Sequence, residues 1–248
     1  MSLVSIILPY YKKKKFIKKS IGSILSQSYK KFELIIIYDD EDHEDLKFIK
    51  KLIKKDKRIK FIINNKNIGA GLSRNKGIKF SKGNYICFID ADDKWKNNKL
   101  EKQIQFMKAN NYLISHTSYK IINEKNNVIG FRQARTFKNL NELLKSCDIG
   151  LSTVILKKKI LRKNIKFPDL KTKEDFVLWL KILNSGNTIY ALDENLTIWT
   201  KTNNSLSSSI LQKLKDSYRL YNHYMKFNFI KSLIYTFILS INFVLKNL

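Results

Sequence analysis

Short apolar runs alternate with amphipathic segments along the first third of the chain. The runs are rich in Ile, Phe and Tyr, which is typical of strands buried on both faces of a sheet. Between them, apolar side chains recur at the i, i+3 and i+4 spacing of a helix. The pattern indicates an α/β fold with a mostly parallel, Rossmann-like sheet flanked by helices. It predicts strands at 3–8 (stopped by Pro9), 32–38, 59–63 and 85–89, and helices at 16–27, 46–53 and 71–80.

The remainder of the chain is less regular. Two strands, 113–122 and 128–131, flank an Asn-Asn turn and predict a hairpin. A helix is expected at 140–144, a strand at 153–156 and an apolar helix at 176–183. We therefore expect one large domain over residues 1–208, whose regular first half extends to about residue 112 and whose second half covers 113–208. A C-terminal helical extension follows at 209–248.

Polar and aromatic residues follow three of the predicted strands, as Pro9-Tyr10-Tyr11, Asp39-Asp40 and Asp90-Ala91-Asp92. The carboxyl ends of parallel strands meet at one edge of a sheet, where such folds bind ligands. Carboxylates at a buried strand end repel one another unless a cation or hydrogen-bond donors compensate. Mg²⁺ and Mn²⁺ take carboxylate oxygens, often together with substrate phosphates. The pattern therefore favours a metal and phosphate site, and a solvated loop in which Asp92 or Asp93 caps a helix is the alternative.

The charge balance narrows the choice of partners. The chain has 48 Lys+Arg against 21 Asp+Glu, a net charge of +27, which favours anionic partners. The lysines are spread along the whole length, and neither a zinc-finger spacing nor an RNA-binding aromatic signature occurs, so no nucleic acid is expected. No G-x-G-x-x-G follows the first strand and no Walker A sequence occurs, which disfavours dinucleotide and P-loop folds. A phosphate-bearing ligand would then need a metal and basic side chains. Arg74 is one candidate, with an exposed helix arginine as the alternative.

The two cysteines, Cys87 and Cys147, have no metal-type spacing and are interpreted as reduced structural thiols. The N-terminal apolar run precedes its charges and lacks a cleavage site, unlike a signal peptide. These features predict a cytoplasmic protein.

Five segments, in order, resemble the family 2 glycosyltransferases of the GT-A fold. They are VSIILPYY (4–11), ILSQSYKKFELIII (24–37), NIGAGLSRNKGIKFSKGNYICFIDADD (67–93), KEDFVLWLKI (173–182) and WTKTNNSLS (199–207). The resemblance implies transfer of a sugar from a nucleotide-diphosphate donor, such as a UDP-sugar, with inversion and with Mn²⁺ or Mg²⁺. It also implies a glycan or lipid-linked acceptor in bacterial surface polysaccharide assembly, such as that of lipopolysaccharide.

The resemblance also implies that residues 1–208 form the catalytic domain, with a donor half to about 112 and an acceptor half at 113–208. It further implies roles for particular residues. Tyr11 would stack on the nucleobase, and Asp39 would hydrogen-bond it. Asp92 would ligate the metal of the Asp-x-Asp motif, and Asp175 would be the general base on the acceptor hydroxyl. The implied donor-binding residues are Pro9, Tyr11, Asp39, Arg74, Asp90 and Ala91. This division suits the chemistry, since a departing diphosphate needs positive charge and a sugar hydroxyl needs a proton acceptor.

The chain departs from the family pattern in two places. Asp-Asp-Glu-Asp-His replaces the usual Asp-Asp-Gly-Ser after the second strand, so either Asp39 or Asp40 reads the base, and His43 is interpreted as a loop residue. Thr200 and Thr202 stand near positions where the family has Arg and His, and Lys201 would substitute for them.

Three further residues have competing interpretations. Glu174 is interpreted as an acid that complements the dipole of its helix. Trp179 is assigned to the core, and Trp199 is a candidate sugar-stacking platform. Two other classes of function stay open: a metal-dependent nucleotidyltransferase, which would release pyrophosphate, or a non-catalytic carbohydrate- or nucleic-acid-binding protein.

An apolar stripe at helical spacing runs through residues 230–245. It is shorter than the roughly 20 residues that a membrane span needs. The helix therefore either packs on the catalytic domain or lies in the interface of an anionic membrane, and we favour the second. That would place the protein peripherally on the inner face of the bacterial plasma membrane, near a lipid-linked acceptor.

Overall fold

The computed structural model describes residues 1–54, 56–161, 165–202 and 209–245. Its first four strands are parallel and lie in the order β3-β2-β1-β4, with a helix in each connection. The seven elements predicted for this part are all present, within three residues at either end. They are β1 Val4–Tyr10, α1 Lys14–Leu25, β2 Phe32–Tyr38, α2 His43–Ile53, β3 Ile59–Ile63, α3 Ala70–Phe80 and β4 Tyr85–Phe88.

Two local expectations for this half are wrong. Pro9 does not stop β1, because it pairs with Ile37 of β2 and the strand continues to Tyr10. The pairing of β1 with β4 ends at Ile7, so the missing N–H of Pro9 interrupts no ladder on that side. His43 is not a loop residue, since it opens α2 behind the N-cap Asp42, whose carboxylate accepts hydrogen bonds from the next turn.

The second half extends the same sheet in the order β4-β8-β6-β9-β5. The strand β7 is not part of this order and pairs with β6. β8 is antiparallel to both β4 and β6, β6 and β9 are parallel, and the predicted β6–β7 hairpin is confirmed. The elements are β5 Lys94–Trp95, α4 Lys99–Ala109, β6 Ile114–Asn123, β7 Val128–Arg132, α5 Leu140–Leu143, β8 Ile155–Lys157, α6 Glu174–Asn184 and β9 Tyr190–Lys201.

The core consists of two apolar layers on opposite faces of the sheet. Ile7 of β1 packs in the layer that contains α6, whereas Ile6 packs in the layer that contains α1, as alternation along a strand requires. Trp179 of α6 is completely buried, which confirms its assignment to the core. α3 approaches β1 so closely that a Cβ on Gly77 would lie 2.5 Å from Cγ2 of Ile7. Only glycine fits there.

The C-terminal segment contains α7 (Ile210–Arg219), a π-helical turn (Leu220–Tyr224) and α8 (Phe229–Leu245). It is anchored on the second half of the domain, because Tyr221 donates to the carbonyl of Leu144 at 2.6 Å and Asn242 donates to that of Lys145 at 2.8 Å. These two hydrogen bonds join the segment to the domain. No helix among the described ranges is long and apolar enough to cross a membrane.

α8 turns its polar side inward. Its buried residues are Ser232, Thr236 and Leu239, and the two hydroxyls donate to carbonyls one turn earlier in the helix. The predicted apolar stripe points mostly to solvent. The exposed apolar residues of α8 are Phe229, Ile230, Leu233, Ile234, Phe237, Ile241, Phe243, Val244 and Leu245.

Candidate active site

The carboxyl ends of β1 and β2 meet at one edge of the sheet, as predicted. The amide of Asp39 donates to the carbonyl of Tyr10 at 2.9 Å, and the amide of Lys12 donates to Oδ2 of Asp40 at 2.8 Å. Tyr11, between Tyr10 and Lys12 in the chain, is half-buried, and the Lys12 ammonium lies 5.2 Å from the centroid of its ring. Both predicted base-reading acids therefore lie beside the predicted stacking aromatic.

The Asp39 carboxylate fastens the loop that leads into α3. Its Oδ1 accepts from Asn64 Nδ2 at 2.7 Å and from the Ile68 amide at 2.9 Å, while Oδ2 accepts from the Gly69 amide at 2.9 Å. Asp40 caps its own turn, through the amide of Glu41 at 2.9 Å as well as that of Lys12. Each acid thus holds backbone at this edge.

Arg74 on α3 is buried and links two acids from distant parts of the chain. Its guanidinium donates to Oδ1 of Asp90 at 2.7 Å and to Oε1 of Glu174 at 2.6 Å. Burial alone would lower the pKa of Arg74, but the charges of the two carboxylates raise it, so the arginine stays protonated. The alternative of an exposed helix arginine is wrong, since Arg74 is 3% exposed. Glu174 is an ion-pair partner as well as a residue at the start of a helix.

Glu174 and Asp175 open α6 side by side. Burial raises the pKa of Glu174 to about 7; the Arg74 charge opposes this shift and the Asp175 charge adds to it. Burial also raises the pKa of Asp175, and the positive charges of Arg74 and Lys173 counteract it. A carboxyl whose pKa is raised by burial is a better proton acceptor while it remains ionised, which is the property a general base needs.

Asp90 and Asp175 line the same cleft, although 85 residues separate them in the sequence. The cleft holds about 190 Å³ and opens beyond the end of β4. Trp199 of β9 lies on its wall with 39% of its surface exposed, and Tyr119 of β6 lies there too. The lining also includes Asp93, Cys147, Ser152 and Thr197.

Asp92 faces a neighbouring pocket instead of this cleft. Its Oδ2 lies 2.8 Å from the Lys13 ammonium, which also donates to the Thr202 hydroxyl at 2.9 Å. Burial and the Asp90 charge raise the pKa of Asp92, and Lys13 opposes the shift. The pocket holds about 40 Å³, and its lining includes Lys15, Lys19 and Lys94. A phosphate-bearing ligand would find positive charge on this side.

Asp93 has a structural role. It is buried, and its carboxylate accepts from the Ser152 hydroxyl at 2.5 Å and from the Thr200 amide at 3.0 Å. The strand β5 follows it and α4 starts only at Lys99 behind Asn98, so neither Asp92 nor Asp93 caps a helix. Through Thr200, Asp93 instead connects the loop 90–93, which carries the three aspartates, to β9.

The residues present fit a divalent ion held mainly by the substrate. The described ranges contain no group of three or more His, Cys, Asp or Glu side chains that could hold a metal. Mg²⁺ sites commonly use one or two carboxylates together with phosphates and water. The Lys13 ammonium on Asp92 shows that this carboxylate accepts a cationic partner.

Four residues of the site were missed or given another role from the sequence: Glu174, Asp93, Lys13 and Ser152. The contacts of these residues join positions 59 to 100 residues apart, so no local spacing indicates them. Lys13 also belongs to a run of four lysines, in which nothing distinguishes it from its neighbours. The other predicted donor residues, Pro9 and Ala91, are buried beside the strand ends. Lys201 is exposed at the end of β9, and the rest of that motif, residues 203–207, lies outside the described residues.

The fold and the gathered carboxylates define an α/β enzyme whose site lies at the carboxyl edge of its sheet. Residues 5–166 match the model of Glycosyl transferase family 2. The match covers more than half of the chain, so the protein belongs to family 2 of the glycosyltransferases.

Individual relatives agree with this assignment. TuaG of Bacillus subtilis (strain 168), a glycosyltransferase named for teichuronic acid biosynthesis, is 32% identical over 93% of this chain and 91% of its own. The Escherichia coli protein WfgD is named as a UDP-Glc:alpha-D-GlcNAc-diphosphoundecaprenol beta-1,3-glucosyltransferase. It is 41% identical over 75% of this chain and 71% of its own.

A crystal structure of S. aureus TarS 1-349 in complex with UDP-GlcNAc resembles this fold with a TM-score of 0.75. The identity is 24%, over 90% of this chain and 65% of the TarS chain, so this likeness concerns the fold alone. The predicted GT-A-like fold and glycosyltransferase class are confirmed, and the nucleotidyltransferase and non-catalytic alternatives are set aside.

Proposed function

We propose that this enzyme transfers a sugar, with inversion, from a nucleoside-diphosphate donor of the UDP-sugar type to a lipid-linked sugar acceptor. The process would be bacterial surface polysaccharide assembly. The observation that carries the proposal is that Asp90 and Asp175 line one cleft at the carboxyl edge of the sheet. One acid comes from the donor half and the other from α6, as transfer between two substrates requires.

Asp175 is assigned as the general base that removes the proton of the acceptor hydroxyl. It opens α6, where its Oδ1 accepts from the adjacent Phe176 amide at 2.7 Å. A positioned carboxylate raises the rate because a sugar hydroxyl is a poor nucleophile near neutral pH. Trp199, half-exposed on the same wall, offers an apolar face for the acceptor or donor sugar.

The donor side is assigned to the ends of β1, β2 and β4. Tyr11 stacks on the nucleobase and Asp39 or Asp40 reads its edge, with Pro9 and Ala91 shaping the floor. Arg74 holds Asp90 toward the donor ribose, because its two terminal nitrogens are already taken up by Asp90 and Glu174. We divide the domain at about residue 112, with residues 1–208 as the catalytic unit, although one sheet crosses this boundary.

We assign Mn²⁺ or Mg²⁺ to Asp92, with Asp90 in its surroundings. When bound, the ion supplies positive charge to the departing diphosphate. The lysines around Asp92 and the Lys13 ammonium provide further positive charge to the same group.

The acceptor class is drawn from the relatives and from α8. A lipid-linked acceptor appears in the name of WfgD, α8 exposes a row of apolar side chains, and the chain as a whole has a net charge of +27. We assign this helix to the interface of an anionic bilayer, which places the enzyme peripherally on the inner face of the plasma membrane. Lys231, whose ammonium lies 4.1 Å from the Phe227 ring, stands at the start of α8, where phospholipid head groups would lie.

A donor screen tests the proposed reaction. Purified protein is incubated with single nucleotide-sugars, Mn²⁺ and a sugar-diphosphate-lipid acceptor, and the released nucleotide is identified. We expect a nucleoside diphosphate to appear only with acceptor present. Release of pyrophosphate, or no release with any UDP-, GDP- or dTDP-sugar, would contradict the proposal.

A further inference from the structure

Two lysines from distant parts of the chain flank one aromatic ring, and one of them directly precedes the acids Glu174 and Asp175. Lys173, directly before α6, has its ammonium 5.8 Å from the centroid of Phe243 on α8. Lys213, on α7, has its ammonium 4.6 Å from the same centroid. Three elements that are far apart in the sequence therefore converge on one point.

The arrangement is held in place by buried polar contacts. The amide and hydroxyl of Thr172 both donate to Oδ2 of Asp216, at 2.9 and 3.0 Å, and Asp216 is completely buried. Asp216 lies one turn after Lys213, so these bonds fix α7 against the residue before Lys173. Lys173 itself has a φ of 66°, a left-handed conformation that costs free energy for a residue other than glycine.

The two ammonium groups are like charges placed near the same ring. In the part of the chain that the structure describes, neither ammonium forms a salt bridge with a carboxylate. Burial lowers the pKa of Lys213, and the positive charge of Lys173 lowers it further, so the two ammonium groups repel each other. An anion placed between them would relieve this repulsion, as paired basic side chains do for phosphates.

The position of the pair relates it to both the cleft and α8. Lys173 is followed by Glu174 and Asp175, and its charge acts on the Asp175 carboxyl. Phe243 belongs to the exposed apolar row of α8. A molecule with an anionic head on the lysines would thus have its sugar toward the cleft and its apolar chain along the helix.

We propose that Lys173 and Lys213 form the subsite for the phosphate groups of a lipid-linked acceptor, with Phe243 contacting the start of its apolar chain. This inference rests on the proposed function, since it assigns the acceptor of the same site. It adds a lipid diphosphate subsite built from the residue before α6 and from the helices α7 and α8.

The test is a binding measurement that needs no donor and no turnover. Farnesyl diphosphate serves as the probe, and calorimetry in metal-free buffer gives its Kd for the full chain. We expect the double variant Lys173→Gln/Lys213→Gln to bind at least about tenfold more weakly, and Lys173→Arg/Lys213→Arg to bind like the wild type. Lys215→Gln, an exposed lysine on the same helix α7, is the matched control and should have no effect.

Three further binding measurements decide which part of a ligand Lys173 and Lys213 recognise. Farnesol should bind all variants equally, because it lacks the anion, and pyrophosphate should bind more weakly than farnesyl diphosphate. Vesicles of phosphatidylglycerol should show no dependence on the two lysines beyond that on Lys215. An unchanged Kd for farnesyl diphosphate, equal binding of pyrophosphate, or an equal lysine dependence with vesicles would overturn the assignment.

Failure of this inference is distinguishable from failure of the proposed function. Acceptor-dependent release of nucleoside diphosphate, together with lysine-independent farnesyl diphosphate binding, overturns the subsite alone. Lysine-dependent binding with no sugar transfer from any donor overturns the function and keeps the lipid diphosphate site.

Discussion

Asp175 is the residue whose role can be tested most directly. Asp175→Asn keeps the shape and the acceptor oxygen for the Phe176 amide but removes the proton-accepting charge. We expect turnover to fall roughly 10²-fold or more, with little change in donor affinity, because the residue lies on α6 and not on the strands assigned to the donor. Steady-state kinetics and nucleotide titrations measure both. A collapse of donor affinity with turnover preserved would place Asp175 in the donor site.

The Asp92–Lys13 pair yields a prediction about metal affinity. Lys13→Met removes the ammonium that lies 2.8 Å from Asp92, so a divalent ion no longer competes with it. We expect Mn²⁺ to bind roughly tenfold more tightly in this variant and to be lost in Asp92→Asn, as measured by electron paramagnetic resonance. Lys47→Met is the control, since Lys47 pairs with Glu44 on α2 and does not line the Asp92 pocket. Equal Mn²⁺ affinity in all four proteins would exclude Asp92 as the ligand.

His116 gives the fold a pH dependence of its own. Burial lowers its pKa to about 4, and its Nε2 lies 2.8 Å from the carbonyl of Arg135. The unfolded chain takes up the proton below about pH 6.5, whereas the folded one resists it down to about 4. This contribution to the free energy of unfolding is therefore complete above pH 6.5. It is lost as the pH falls toward 4, by about 3 kcal/mol.

Denaturant unfolding of the wild type and of His116→Gln between pH 8 and pH 4 measures this contribution. The variant should show a shallower loss of stability over the acidic range, since no imidazole is left to protonate. His43→Gln, at the exposed start of α2, should follow the wild type. Parallel curves for wild type and His116→Gln would show that His116 does not carry the effect.

At the scale of elements, the orientation of α8 decides what the segment can contact. Its hydroxyl side packs inward and its apolar side faces out, the reverse of a helix that serves only to complete a core. Phe237→Glu/Ile241→Glu changes two exposed positions and should leave the fold intact. We expect binding to phosphatidylglycerol vesicles to fall at least about tenfold, because burial of each apolar side chain contributes about 1.5–3 kcal/mol.

Co-sedimentation measures this binding. Phe131→Glu on β7 is the matched control, since Phe131 is also exposed but lies in the hairpin of the acceptor half. Equal binding by wild type and the α8 variant, or the same loss in the control, would mean that α8 is not the membrane-contacting element.

At the scale of the whole molecule, the net charge of +27 predicts how binding responds to salt. Ions at about 0.1 M screen exposed charges beyond about 10 Å, so contacts that depend only on charge weaken steeply. We expect duplex DNA to dissociate at about 0.2 M NaCl, while anionic vesicles stay bound through the apolar face of α8. Fluorescence titrations over a salt series separate the two. DNA binding that survives moderate salt better than vesicle binding would point to a nucleic-acid partner.

Much of the fold was predictable because its signals are local. The strands β2 and β3 have the predicted bounds, since the Ile- and Phe-rich run of each is followed by polar residues. β2 is buried inside the parallel sheet, whereas β3 is its half-buried edge strand. The helix α4 and the strand β9 were missed. β9 carries Asp193, Glu194 and Asn195 in its middle, so its pattern is not that of a buried strand, and only its long pairing with β6 identifies it.

The sequence by itself determined the alternating strands and helices of the first half, the carboxylates at the strand ends and the family to which the chain belongs. These depend on side chains that are neighbours in the chain or repeat at short periods. Only the tertiary structure decided that Arg74 binds Glu174, that Lys13 lies on Asp92 and that Lys173 and Lys213 meet at Phe243. Such contacts join residues tens of positions apart. They form because the sheet and the helices packed on it bring those positions together, which no local pattern encodes.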